Sequence, residues 1–300
     1  MKILHSFGKK NIDSWYYEER NAYSNEIKIQ TKYCGICNSD IAVYGGFETP
    51  MFLGKFGHEG LGVVVSVGKE IKNVKEGDFV STISDPAYSE FYFAKENEFV
   101  KVPELNQKYI IQPVACALNI LQKTLNYNKN NKDILLVGSG FMSLIIAEYC
   151  TKILKIKIDI CGSSNKKNWG KLNLKLNNIE DIEENSYDYV IDLSSKAENF
   201  KKITNICKNE GIINYASTPK ENIVTNFFEN CWKCHTILMP SPRNSDFIKS
   251  MELSVELIKN NILNTEELWS KGFKMFSEYK EGFEAGLNRD FNYIRGYFYI

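Results

Sequence analysis

Short β-branched and aromatic runs dominate the first hundred positions of the chain. "NEIKIQTKYC", "GLGVVVSVG", "GDFVSTIS" and "SEFYFAKENEFVKVP" read as strands separated by glycine, proline or charge, with no helical period of useful length among them. From about residue 115 the pattern changes. "NILQKTLNY" has helical spacing, "KDILLVGSGF" is a buried strand entering a glycine turn, "SLIIAEYCTKIL" is helical and "KIKIDICGSS" is a strand again, which together make a βαβ unit. Alternation continues through "YDYVIDLSS", "ENFKKITNICKN", "GIINYAS", "HTILMPS" and the amphipathic "DFIKSMELSVELIKNNI", and parallel strands with crossover helices account for it. Beyond residue 260, "EYKEGFEAGLNRD" predicts a helix and "YIRGYFYI" a terminal strand, while the polar "NYNKNNKD" at 126–133 predicts a loop ahead of the βαβ unit. The expected class is α/β: a β-rich front followed by a doubly wound parallel sheet.

Composition narrows the partners. A length of 300 residues exceeds the usual single-domain size of roughly 100–150, so two domains or one large one are expected. With 37 basic against 37 acidic side chains and 43% hydrophobic residues, nothing points to disorder, to an electrostatic grip on nucleic acid or to a polybasic membrane patch. A small-molecule substrate fits better, with no nucleic acid and no membrane as partner. The N-terminal apolar run is too short for a signal peptide and no stretch reaches the roughly 20 apolar residues of a span, so a cytoplasmic location is expected. The eight cysteines are irregularly spread along a chain far longer than small disulfide scaffolds, so they are read as reduced thiols, and Cys150, Cys161 and Cys207 as small buried hydrophobes.

In "LLVGSGFMSLIIA", Gly138 and Gly140 stand between a strand and a helix, where glycine permits a tight bend and lets helix N–H groups approach a pyrophosphate. Ser143 holds the third position of the G-x-G-x-x-G pattern. About 20 residues further on, a carboxylate would ordinarily accept bonds from the adenosine ribose hydroxyls. The strand here ends in "CGSSNKK", and Asp159 reads equally as a strand residue. Gly162, Ser163 and Ser164 leave room, and their hydroxyls with Lys166 or Lys167 suit a 2′-phosphate, which favours NADP over NAD. The alternative is a lysine-bearing surface turn.

The segments "YCGICNSD" at 33–40 and "KFGHEGLG" at 55–62 concentrate thiols, an imidazole and carboxylates in a chain with only three histidines. Catalytic zinc takes about three protein ligands and keeps a position open, and Cys37, His58 and Glu59 offer one sulfur, one nitrogen and one oxygen donor. Cys34 and Cys37 also form a C-x-x-C, as do Cys231 and Cys234 ahead of His235. A four-thiolate site would require the two pairs to meet across nearly two hundred residues, and a thioredoxin-like couple would open a helix, which "YCGIC" does not do in this reading. Cys34 is therefore read as a packing residue, Cys231 and Cys234 as structural or incidental, and His5 and His235 as surface or satisfied histidines.

Taken together, "YCGICNSDIAVYGG…FGHEGLGVVVSVGKEIKNVKEGDFV", "ILLVGSGFMSLIIAEYC" and "YDYVIDLSS" resemble the medium-chain dehydrogenase/reductase superfamily, in particular its zinc-containing alcohol and polyol dehydrogenases. The resemblance implies a GroES-like β-rich catalytic domain over residues 1–115 and 246–300 and a Rossmann-type nucleotide domain over 116–245. It makes Cys37 and His58 zinc ligands, Glu59 a carboxylate that binds or backs the metal, Ser39 the hydroxyl that relays a proton, and Asp40 a group behind the ligands. Arg295 takes a place against the cofactor phosphates. The family's remaining metal position falls at Gln112 or near Cys116, and the four-cysteine structural lobe is absent, so one catalytic zinc and no structural zinc are implied. The implied activity is hydride transfer between NAD(P) and a secondary alcohol/ketone pair, a polyol or sugar derivative, in a homo-dimer or homo-tetramer. A metal-free reductase of activated alkenes or quinones and a non-catalytic NADPH- or zinc-binding protein are the alternatives. Pocket specificity is expected on "VYGGFETPMF".

Overall fold

Two antiparallel strands open the chain, β1 (Lys2–Gly8) and β2 (Asn11–Tyr16), which pair in register from Lys2 opposite Tyr16 to Gly8 opposite Asn11. The computed structural model describes residues 1–47, 56–127, 133–217, 227–241, 244–290 and 293–300. Positions 48–55, which include part of the expected specificity segment, lie outside the described residues.

The chain divides into two compact units, Met1–Ala115 with Ile248–Ile300, and Cys116–Phe247. In the first unit β3 (Glu26–Gly35), β4 (Gly60–Val67), β5 (Phe79–Thr82), β6 (Phe91–Lys95) and β7 (Phe99–Lys101) follow the predicted runs. A helix, α1 (Asn38–Tyr44), breaks in between, with Cys37 as its N-cap. This corrects the sequence reading, in which no helix followed "YCGIC": seven residues are too few for an amphipathic period to register in the sequence. The thioredoxin-like couple still fails, because Cys34 is wholly buried and burial drives its thiol well above the ordinary range.

The second unit begins in α2 (Gln112–Leu125) and continues through β8 (Ile134–Val137), α3 (Phe141–Tyr149), β9 (Ile158–Cys161), α4 (Lys166–Lys171), β10 (Leu176–Asn177), β11 (Tyr187–Asp192), α5 (Asn199–Ile206), β12 (Cys207–Tyr215), α6 (Phe227–Trp232) and β13 (Thr236–Leu238). Its strands form a wholly parallel sheet in the order β10-β9-β8-β11-β12-β13. Strand order reverses at β8, so the glycine turn that follows β8 stands at the topological switch point, where nucleotide crevices form in such sheets. The strands' buried apolar runs, "ILLV" above all, have no polar alternation because helices cover both faces.

After α7 (Phe247–Lys259) the chain returns to the first unit with β14 (Trp269–Lys274), α8 (Tyr279–Leu287) and β15 (Arg295–Tyr299). The first unit's sheet runs β14-β15-β3-β4-β5-β7, with β6 also on β3. Phe298 lies opposite Cys34, and Cys34 opposite Gly60. That register brings the end of the chain alongside the two early motifs. No helix among the described residues is long and apolar enough to cross a membrane.

Candidate functional site

One candidate site, within the first unit, is built on β3, α1 and the start of β4. Gly35 N–H donates to the Glu59 carbonyl and Ile36 N–H to the Gly296 carbonyl, both at 3.0 Å, so Cys37, Glu59 and Arg295 leave adjoining rungs of one sheet. Gly35 has to be glycine for this approach, since a Cβ would overlap the Glu59 carboxylate. Gly57 has φ +91, and a Cβ there would meet the Tyr88 ring at 2.5 Å. The glycine lets the chain turn over that ring and deliver His58. Tyr88 is itself fixed by Phe56, Phe283 and Phe298, with ring centroids 5.2, 5.8 and 5.1 Å away.

One sulfur, nitrogen and oxygen from Cys37, His58 and Glu59 all lie within 4.8 Å of one another. Donors about 2.0–2.3 Å from a shared ion stand at most about 4.6 Å apart, so small side-chain rotations suffice, and thiol, imidazole and carboxylate are the donor types zinc takes. The residues fit the ion. His58 and Glu59 are buried and Cys37 is partly exposed, which leaves one side of the cluster open to a further ligand.

Asp40, wholly buried in the first turn of α1, accepts a 2.7 Å bond from the Tyr88 hydroxyl, whose oxygen also lies 3.0 Å from the Gly35 carbonyl. Its other oxygen faces His58 Nδ1 at 3.7 Å, and neither atom has a hydrogen-bond partner. Asp85 approaches the same nitrogen at 3.9 Å. Burial pushes the Asp40 carboxyl up to about 6, against the pull of His58 and Tyr88. Burial works against a charged His58, but Asp40 and then Cys37 outweigh it and hold the imidazole up to about 10. Such an acid behind a ligating histidine fixes ring orientation and raises its basicity.

Arg295, expected at the cofactor phosphates, is buried and pairs with both oxygens of Glu59. Burial disfavours its charge, yet Glu59 and Cys37 outweigh that and hold the guanidinium above its ordinary value. Ser39 is partly exposed in the first turn of α1. Gln112, 2% exposed, opens α2, and Cys116 follows in the same helix, partly exposed.

A separate candidate site, within the second unit, is the turn after β8. Gly138 has φ +111, and a Cβ there would stand 2.9 Å from the Leu193 carbonyl carbon, so the bend and the packing both exclude a side chain. A Cβ on Gly140 would meet nothing within 4 Å, so the protein leaves open space beside the α3 N-terminus. Ser143 is 1% exposed and its hydroxyl has no hydrogen-bond partner.

Gly162 packs against Ser139 so closely that a Cβ would overlap its hydroxyl. Ser139 Oγ shares a 2.9 Å bond with Ser164 Oγ, and the Ser139 carbonyl accepts from Asn165 Nδ2 at 2.9 Å and Trp169 Nε1 at 3.3 Å. Asn165 sits at φ 59 and keeps a buried, unpartnered Oδ1. Ser163, Lys166 and Lys167 are exposed around it. Asp159 accepts from Tyr187 at 3.1 Å. Ser139, Asn165, Trp169 and Tyr88 were not singled out in the sequence. Only the left-handed preference of asparagine after "GSS" was a usable signal for any of them.

Residues 23–104 match the alcohol dehydrogenase GroES-like domain family. The 2R,3R-butanediol dehydrogenase of Bacillus subtilis superposes with TM-score 0.80 at 18% identity, over 100% of this chain and 99% of that one. The chain shares the fold of that dehydrogenase, and its residues 23–104 form an alcohol dehydrogenase GroES-like domain. A zinc-binding dehydrogenase of Sinorhizobium meliloti solved with NADP superposes with TM-score 0.77 at 14% identity, over 100% of this chain and 99% of that one. The CYP enzymes assisting alcohol dehydrogenase of Catharanthus roseus is 42% identical over 57 residues, 19% of this chain. The chain spans only 15% of that relative's length.

Proposed function

We propose that the chain is a zinc-dependent oxidoreductase that moves a hydride between NAD(P) and a secondary alcohol/ketone pair, with polyols or sugar derivatives as the substrate class and NADP as the favoured cofactor. The observation that carries the reading is the convergence of Cys37, His58 and Glu59, whose donor atoms lie within 4.8 Å of one another. When bound, zinc supplies Lewis-acid polarisation of a substrate oxygen and the nicotinamide supplies or accepts the hydride.

The chain's own residues do the rest. Tyr88 holds Asp40, Asp40 orients His58, and Arg295 keeps Glu59 aimed in a buried setting. Ser39, partly exposed beside Cys37, passes a proton between the substrate oxygen and solvent. Gly138 and Gly140 admit the pyrophosphate to the α3 N-terminus. Ser163, Lys166 and Lys167 meet the 2′-phosphate, supported by the exposed cationic edge around the loop that Ser139 holds in place.

The test is elemental analysis of the purified chain together with NADPH- and NADH-linked turnover on a panel of ketoses and diketones. One zinc per chain, loss of metal and turnover in Cys37→Ser, and weakened NADPH but not NADH binding in Lys166→Ala/Lys167→Ala are the expected results. Full turnover by a chelated, metal-free preparation overturns the reading.

A further inference from the structure

We propose that Cys231 and Cys234 form a reversible dithiol–disulfide couple, closed in place at the end of α6 by exchange with a low-molecular-weight disulfide. All eight cysteines are free, and these two are the exposed ones; Cys34, Cys150, Cys161 and Cys207 are buried and Cys37 and Cys116 partly so. Burial also pushes the Cys150 and Cys161 thiols up to about 12, which withholds the reactive thiolate.

The turn has a defined geometry. Cys234 N–H donates to the Cys231 carbonyl and His235 N–H to the Asn230 carbonyl, each at 3.1 Å, and Cys234 has φ 54. This pair of bonds is a Schellman closure with Cys234 at the left-handed position where glycine is the favoured residue. A side chain there is strained against the following carbonyl, and nothing in the closure itself asks for sulfur. A hydrogen bond across three residues holds the two Cα atoms within about 7 Å, which overlaps the 4.4–6.8 Å span that a disulfide bridges.

The residues between and after the thiols are tied down. Lys233 Nζ donates to the carbonyls of Thr204, Asn205 and Cys207 at 3.1, 2.9 and 3.1 Å. The His235 ring engages Asn230 Oδ1 at 3.0 Å and the Lys208 carbonyl at 3.2 Å. Alternate side chains therefore anchor the turn on α5 and β12 while the two sulfurs remain at the surface. With both ring nitrogens of His235 engaged, the turn offers a dithiol and not a thiolate–imidazole metal site.

The chemistry balances. One cysteine thiolate attacks a sulfur of the small disulfide; that S–S bond breaks, a mixed disulfide forms, and the first small thiolate leaves and takes a proton. The second cysteine then attacks the protein sulfur of the mixed disulfide and expels the second small thiol. Two protein thiols lose two electrons and two protons, and the small disulfide becomes two thiols.

The test treats the full-length chain with glutathione disulfide, quenches with an alkylating reagent and reads intact mass and peptide maps. The expected result is a mass lower by two hydrogens, with loss of two alkylation sites that map to Cys231 and Cys234. Cys234→Gly places the favoured residue at the left-handed position, so it keeps its circular dichroism and melts no lower than wild type. It should accumulate a stable glutathione adduct on Cys231 instead. Adducts on both cysteines of the wild type, disulfide-linked pairs of chains, a first disulfide elsewhere, or a Cys234→Gly chain that takes up no glutathione would each overturn the proposal.

Discussion

The Arg295 guanidinium pairs with both oxygens of the Glu59 carboxylate although 236 positions separate the two residues. Both side chains are buried, so each charge depends on the other for compensation. Arg295→Met leaves an uncompensated carboxylate and should cost about 3–5 kcal/mol, read from the denaturant midpoint. Adding Glu59→Gln should recover most of that loss. A single-variant cost below about 1 kcal/mol would place the pair with ordinary surface ion pairs and contradict its burial.

Asp40 links the aromatic core to His58 through the Tyr88 hydroxyl. Asp40→Asn keeps the shape and removes the charge that steadies the imidazole. Its zinc affinity, measured by competition with a metal buffer, should fall about 10–100-fold. Tyr88→Phe should weaken the metal less, and should lower stability by about 1–3 kcal/mol because a buried carboxylate loses its donor. An unchanged affinity in Asp40→Asn would mean that the 3.7 Å approach does not tighten into a hydrogen bond on metal loading.

The two glycines of the turn separate folding from cofactor binding. Gly138→Ala forces a side chain into a left-handed backbone and against Leu193, so the free protein itself should lose about 1–3 kcal/mol. Gly140→Ala meets nothing in the protein, so its melting temperature without cofactor should match the wild type while NADPH affinity, by fluorescence titration, falls roughly tenfold. Equal cofactor affinity in Gly140→Ala would show that the open space is not where the pyrophosphate lies.

At the start of β3, Glu26 shows how pH enters stability. Burial opposes its charge, but Arg20 and the Tyr23 N–H outweigh that and hold the carboxyl below the ordinary value of 4.5. A depressed folded-state value means that its contribution is complete above the unfolded value and is lost as pH falls through the lowered one. Glu26→Gln should therefore be less stable than wild type by about 1 kcal/mol at neutral pH, with the difference closing under acid. A gap that persists well below the ordinary glutamate value would mean that the side chain acts through packing alone.

Much of the fold can be read from local pattern. "ILLV" and "YDYVID" announce buried parallel strands because they lack polar alternation, and "LVGSG" marks the turn because glycine alone tolerates Gly138's backbone. The helix α1 escaped notice, as did β14, in which only scattered positions are buried.

The candidate trio Cys37, His58 and Glu59 can be picked out in the amino-acid sequence, because donor types and the motifs that carry the family resemblance are local to two short segments. The setting of those ligands cannot. Arg295 meets Glu59 only because β15 pairs with β3 and β3 with β4, and Tyr88 meets Asp40 only because Gly57 lets the chain pass over its ring. Contacts between residues far apart in the chain depend on strand register and close packing. No short window of sequence encodes either, so tertiary structure decided which charges the ligands would face.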